Sequence, residues 1–163
     1  APNNSPLLFQ NGNPQRPLNV SYRSVIVKEG GSYPSFWRTF VTSACNHCRT
    51  PACMNACPVD AISKRSSDGV VLIDQEKCIG CKYCAWACPY GAPQWNEATR
   101  KVEKCTMCVH RTDKGLEPAC ATTCVGKALT YVEDFDAGRS GENAPDGFAS
   151  PKLTRPSVRF VRK

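Results

Sequence analysis

Apolar positions along this chain come in short bursts and never in a long period. Val25-Ile26-Val27 precedes the turn signal Gly30-Gly31, and an aromatic stretch follows at Tyr33, Phe36, Trp37 and Phe40. This predicts one short strand and a surface loop that packs on the core or on a partner. Ala61-Ile62-Ser63-Lys64 and Val70-Val71-Leu72-Ile73 flank Ser66-Ser67-Asp68-Gly69. Asp-Gly between two apolar segments predicts a short β-hairpin. Segments such as Cys53-Met54-Asn55-Ala56-Cys57 predict single helical turns, ended by Pro58 in this case and by Pro89 in the next. Ala128-Leu129-Thr130-Tyr131-Val132 predicts one more strand. The longest purely aliphatic run is Val70 to Ile73, far too short to span a bilayer, and neither a heptad array nor a collagen period is present. Residues 1–20 are rich in Asn, Pro and Gln and show neither an apolar leader core nor a twin-Arg pair.

Composition changes the picture of what holds these fragments together. The 163 residues include 12 Cys, and the apolar fraction of 41% counts them. Little is left for an ordinary core, so something besides hydrophobic burial must organise the middle. The formal charge of +7 points at first to nucleic acid. That value treats every Cys as a neutral thiol. Twelve thiolates around three 4Fe–4S cores of charge +2 would lower it by about 6, because metal binding deprotonates thiols.

All the cysteines lie between Cys45 and Cys124, in three groups. The first is Cys45, Cys48, Cys53 and Cys57, then Pro58. The second is Cys78, Cys81, Cys84 and Cys88, then Pro89. The third is Cys105, Cys108, Cys120 and Cys124, with no Pro. Each group closes with Cys-x3-Cys and carries an Ala four residues later, at Ala61, Ala92 and Ala128, which marks an internal repeat. The second group has the spacing of the bacterial ferredoxin run for a 4Fe–4S cluster. Three closely spaced cysteines wrap three corners of the cubane, and the fourth, on the following helical turn, ligates the neighbouring cluster. The first group is a loosened version. The two groups are therefore expected to exchange fourth ligands. One cluster takes Cys45, Cys48, Cys53 and Cys88, and the other takes Cys78, Cys81, Cys84 and Cys57. Cys105, Cys108, Cys120 and Cys124 are the candidates for a third cluster.

Other readings compete for these residues. All-cysteine zinc uses pairs like those of the third group. A disulfide scaffold is allowed by an even count but leaves the repeated Cys-Pro endings unexplained. A multi-zinc nucleic-acid module would use the basic excess, yet Lys and Arg are scattered and no base-reading helix stands out. His47 and His110 are expected beside ligands or on the surface. Trp86, Trp95, Tyr83 and Tyr90 are expected to shield clusters from water. No Ser/His/Asp arrangement, phosphate-binding glycine loop or carboxylate pair is present, so no catalytic residue is assigned.

Cys45-Asn46-His47-Cys48-Arg49-Thr50-Pro51-Ala52-Cys53, Cys78-Ile79-Gly80-Cys81-Lys82-Tyr83-Cys84, Cys88-Pro89-Tyr90-Gly91-Ala92-Pro93 and Lys104-Cys105-Thr106-Met107-Cys108 together carry a resemblance. The chain resembles the iron–sulfur (beta, electron-transfer) subunits of molybdopterin oxidoreductases of the dimethyl-sulfoxide-reductase type, over roughly residues 20–132. The resemblance implies a wire of 4Fe–4S clusters. It passes single electrons to or from a large molybdopterin catalytic subunit, in some relatives with a further, membrane quinone-reactive subunit. Some relatives carry Trp in place of the second Cys of the second group and bind 3Fe–4S there. Cys81 stands at that position here and implies 4Fe–4S. The family carries a further upstream cysteine run that this sequence lacks. In the family pattern that run would supply a ligand beside Cys105, Cys108 and Cys120, and Cys124 would serve a fourth cluster. Either an upstream run exists outside this sequence, or the four cysteines of the third group close on one cubane.

The expected fold class is α+β, with a bacterial 2[4Fe–4S] ferredoxin-like core, loop-rich, plus an additional cluster-binding segment and extended arms. The expected organisation is an N-terminal arm over 1–40, a two-cluster domain over 41–98, a third cluster-binding segment over 99–132, and a tail over 133–163 docking on a partner. The expected function is electron relay within an oxidoreductase complex of anaerobic respiration. A free soluble polyferredoxin-type carrier is the alternative. No nucleic acid and no direct membrane span are expected. The expected location is the extracytoplasmic side of the cytoplasmic membrane, reached by co-export with the catalytic subunit, with the cytoplasm as the alternative.

Overall fold

A computed structural model of the chain describes residues 20–161. The first nineteen residues of the expected arm lie outside that range. Strands β1 (Arg23–Gly30) and β2 (Trp37–Ala44) pair antiparallel, from Arg23 opposite Ala44 to Gly30 opposite Trp37. The sequence reading of one short strand and a loop is thus corrected to a two-stranded hairpin. The reason lies in Trp37-Arg38-Thr39-Phe40-Val41-Thr42, whose aromatic and β-branched residues suit a pleated surface. Val25, Val27 and Phe40 share one face of this hairpin, and all three are exposed.

The centre of the molecule is built twice from the same parts. Helical turn α1 (Ala52–Asn55) is followed by the hairpin β3 (Ile62–Lys64) and β4 (Val71–Ile73). Helical turn α2 (Tyr83–Ala87) is followed by the hairpin β5 (Gln94–Asn96) and β6 (Lys101–Glu103). The first hairpin was legible from its Asp-Gly turn. The second carries no such signal. Its turn is made by the Asn96 side chain, whose Oδ1 accepts from the N–H of Ala98 at 2.9 Å and of Thr99 at 3.3 Å. Cys53, Ile62, Val71, Cys84 and Val102 form the buried core, with Met54, Cys57, Ile73, Cys78 and Trp95 packed against it. Cysteine side chains are thus part of the core itself.

Two further helical turns, α3 (Val109–Thr112) and α4 (Ala119–Thr122), carry the third cysteine group. Arg65, in the β3–β4 turn, makes a two-pronged ion pair with Asp113 at 2.6 and 3.1 Å and ties α3 to that hairpin. The strand expected over residues 128–132 is absent, because that segment has no neighbouring strand to pair with among the described residues, and a lone strand has no ladder.

Part of the tail also packs on the chain itself. Residues 150–157 pack on the chain's own first cysteine loop. Around α5 (Pro151–Thr154), Arg49 N–H donates to the Arg155 carbonyl at 2.8 Å and Thr50 N–H to that of Thr154 at 3.1 Å. Ser157 N–H reaches the Asn46 carbonyl at 2.8 Å. Phe148 packs between Tyr90, tilted against it at a centroid distance of 4.9 Å, and Phe160, edge-on to it at 5.2 Å. No helix among the described residues is long and apolar enough to cross a membrane.

Gly80 sits in the second cysteine loop at φ +71°. A Cβ there would press on the Arg100 carbonyl and lie 2.7 Å from the Trp95 ring. Gly91, at φ +61°, has open space around the same position. Gly91→Ala is expected to cost about 1 kcal/mol, the left-handed penalty alone. Gly80→Ala is expected to cost at least about 2 kcal/mol more from overpacking. Anaerobic denaturant titration of both variants compares the two directly.

Candidate metal centres

The cysteines of the first two groups line two part-open cavities. The first cavity, of about 360 Å³, is lined by Cys45, Cys48, Cys53 and Cys88, with Val71 and Pro93 among its apolar walls. The second, of about 290 Å³, is lined by Cys57, Cys78, Cys81 and Cys84, with Ile62, Ile73 and Val102. Each cavity draws three cysteines from one group and one from the other. The local cause is the helical turn. Cys53 lies on α1 and faces the first cavity, while Cys57, just past its end, faces the second. Cys84 and Cys88 stand in the same relation around α2, with the cavities exchanged.

Burial pushes the bare Cys53 thiol up to about 12, with Cys45 and Cys88 adding to the rise. Cys84 is pushed up to about 11 by burial, then by Cys78 and Cys81. Four thiols facing one apolar cavity oppose one another's ionisation. They become thiolates together only if positive charge enters with them, which is what metal binding does. Four soft donors in an apolar pocket suit thiolate-bound iron–sulfur. Four thiolates on one zinc would instead converge to within about 4 Å of each other. Among the described residues no three His, Cys, Asp or Glu side chains converge closely enough to hold a single ion. The four cysteines around each apolar cavity fit a thiolate-bound iron–sulfur cluster in their number and donor type.

Fixed positive charge surrounds these cavities. Lys104 is only 3% exposed and lines the first cavity. Its Nζ donates to the carbonyls of Val71 and, at 3.1 Å, Cys105. Lys64 Nζ donates to the carbonyls of Gly69 at 2.6 Å and Cys48 at 3.0 Å. Lys82 lines the second cavity, with its Nζ 4.2 Å from the centroid of the Trp95 ring. Sequence reading did not single out these lysines, because scattered cations carry no pattern.

His47 is 2% exposed, and its Nδ1 accepts from the Val71 N–H at 3.0 Å. That contact leaves the ring hydrogen on Nε2. Burial first, and then Lys104 and Lys64, lower its pKa to about 3, so the ring is neutral. His47 therefore buttresses the first loop against β4, and His110 lies exposed on α3. Trp95 packs on the core and Tyr90 lines the first cavity, as shielding requires. Trp86 and Tyr83 do not follow that expectation. They are 76% and 50% exposed and stack on each other at 5.7 Å.

Cys105, Cys108, Cys120 and Cys124 line neither cavity. Burial raises Cys105, and Cys45 adds to that rise. The Cys124 thiol is lowered by the backbone N–H groups of Ala128, Leu129 and Gly126. The repeated Ala acquires a physical meaning here. The Ala128 N–H reaches Cys124 Sγ at 3.2 Å and the Ala61 N–H reaches Cys57 Sγ at 3.3 Å. A backbone donor thus serves the closing cysteine in two of the three groups.

Comparison with known proteins adds a family and several relatives. Residues 36–134 match the model of a 4Fe–4S dicluster domain. The beta subunit of dimethylsulfide dehydrogenase from Rhodovulum sulfidophilum is 46% identical over 106 residues, which is 64% of this chain and 33% of that protein. The tetrathionate reductase of Salmonella typhimurium has a subunit that is 41% identical over 120 residues, 74% of this chain and 47% of that protein. One chain of the anaerobic dimethyl sulfoxide reductase of Escherichia coli is 40% identical over 120 residues, 69% of this chain and 58% of that protein. The chain spans less than two thirds of the length of each of these relatives.

His47→Ala removes the acceptor of a buried N–H. It is expected to destabilise the metal-loaded protein by about 1–3 kcal/mol while iron content per folded chain stays unchanged. Anaerobic unfolding with parallel iron analysis measures both.

Proposed function

Because this protein belongs to the 4Fe–4S dicluster domain family, we propose that it is the electron-transfer subunit of a molybdopterin oxidoreductase, relaying single electrons to or from a catalytic subunit. The observation that carries this reading is the pair of interleaved cysteine quartets on one small core. In this reading Cys45, Cys48, Cys53 and Cys88 hold one 4Fe–4S cluster, and Cys78, Cys81, Cys84 and Cys57 hold the second. Each bound cluster supplies reversible one-electron exchange. The chain does the rest. Turns α1 and α2 each carry ligands toward both sites and fix the distance between them. Val71, Ile62 and Val102 keep water out. Lys104 and Lys82 offset the negative charge of the thiolates. The fold that this implies is an α+β, ferredoxin-like core extended by a third cluster-binding segment.

Cys105, Cys108, Cys120 and Cys124 are assigned to further cluster binding. Cys124, exposed to backbone donors and outside both cavities, suits a ligand shared with cysteines outside this sequence as well as one closing a third cubane. A free diffusing carrier is the competing reading. Against it stands the β1–β2 hairpin, where Val25, Val27 and Phe40 share one face and are each more than half exposed. Contiguous apolar surface of this kind marks a partner interface, which suits the catalytic subunit. A membrane quinone-reactive subunit would act at a further remove.

The ligand exchange has a distinct spectroscopic signature. Cys57→Ala should change the low-temperature EPR spectrum of the reduced protein in the same way as Cys78→Ala, and Cys88→Ala in the same way as Cys45→Ala. Cys57→Ala matching Cys45→Ala would mean that each group closes on itself. In native extract the chain should co-elute with a molybdenum protein on gel filtration. Elution at the mass of the free chain favours the carrier.

A further inference from the structure

Among the described residues Lys104 is the one lysine or arginine that is fully buried, at 3% exposed. Its Nζ donates to two backbone carbonyls, those of Val71 and, at 3.1 Å, Cys105. Among the described residues no carboxylate forms an ion pair with it. The carboxylate next to it in sequence, Glu103, is taken up elsewhere. It accepts from Tyr22 Oη at 2.6 Å and from Asn96 Nδ2 at 2.5 Å. Carbonyl oxygens satisfy the hydrogens of an ammonium group but leave its net charge uncancelled. A buried charge with no opposite charge beside it is costly. The fold therefore calls for an anion next to Lys104, and Lys104 lines the first cavity.

Four thiolates outweigh the positive charge of the iron–sulfur core they surround. The filled first cavity is thus the anion that Lys104 lacks. One-electron reduction makes it more negative by one charge. A fixed cation favours that reduced state and raises the potential, and it acts more strongly where water is excluded. The lysines nearest the two cavities differ in this respect. Lys64, which holds the Cys48 carbonyl at 3.0 Å, and Lys82, whose Nζ lies over the Trp95 ring beside the second cavity, are only half-buried. Water and salt screen both of them. The second cavity has no fully buried cation in its lining.

We propose that Lys104 is a potential-setting residue of the centre at Cys45, Cys48, Cys53 and Cys88, and that its buried ammonium makes two otherwise similar centres unequal. This deepens the cluster reading above and rests on it. Lys104 acts through its charge and takes no part in ligation. It keeps its proton in both redox states, and the electron comes from the redox partner.

EPR-monitored redox titration of the anaerobically purified, iron-loaded full chain tests the proposal. Lys104→Met keeps the length of the side chain and removes the charge. At fixed potential it should lower the reduced-to-oxidised ratio of the first centre about tenfold, about 59 mV for one electron, and leave the second unchanged. Lys104→Gln keeps a hydrogen-bond donor without the charge and should shift the first centre in the same direction. Lys104→Arg keeps the charge and should restore most of the difference. Unchanged midpoints in Lys104→Met, or equal shifts at both centres, overturn the proposal. Should Lys104→Met lose iron, Lys104→Gln decides alone, and unchanged midpoints there overturn it. Loss of iron from the first centre in both variants makes Lys104 a structural strut and also overturns it. Wild-type protein without iron–sulfur would instead remove the reading on which the proposal rests.

Discussion

Thiols crowded around an apolar cavity are the constraint on which the rest of this molecule depends. Each thiol resists ionisation because it is buried, and its neighbours add to that resistance. Filling the cavity with a cationic iron–sulfur core outweighs these penalties, because it attracts every thiolate at once. The fold and its cofactor are therefore one thermodynamic object, as in other small metal domains where binding free energy is folding free energy. The short elements make sense in this light. Strands of three residues and helical turns of four or five would be marginal on their own.

The protein parts act as a clamp around that object. His47 and Lys104 take the N–H and the carbonyl of Val71, so the first cysteine loop, strand β4 and the start of the third group meet at one residue. Lys64 pins the same loop through the Cys48 carbonyl. The lysines serve twice, as struts for backbone carbonyls and as counter-charge for the cavities. This gives the basic excess of the sequence a local use that has nothing to do with nucleic acid.

What the sequence revealed follows from which signals are local. Cysteine spacing is local, so which cysteines face a common cavity could be read from it, as could the mixed helix and strand content. The Asp68-Gly69 turn is local, and the 62–73 hairpin was expected. The 94–103 hairpin depends on one Asn side chain folding back on its own turn and was not. Residues 128–132 have strand composition but no neighbour to pair with. Thr154 lies more than a hundred residues from Thr50, and a lone threonine near a chain end carries no pattern. Its place over the first cavity, like the burial of Lys104, exists only once the chain has closed.

Iron and acid-labile sulfide per chain, measured on anaerobically purified protein, test the central claim most directly. Two interleaved cysteine quartets predict at least about eight of each, with more where the third group is filled. Little iron together with about three zinc per chain would contradict it and make the cysteines structural zinc ligands.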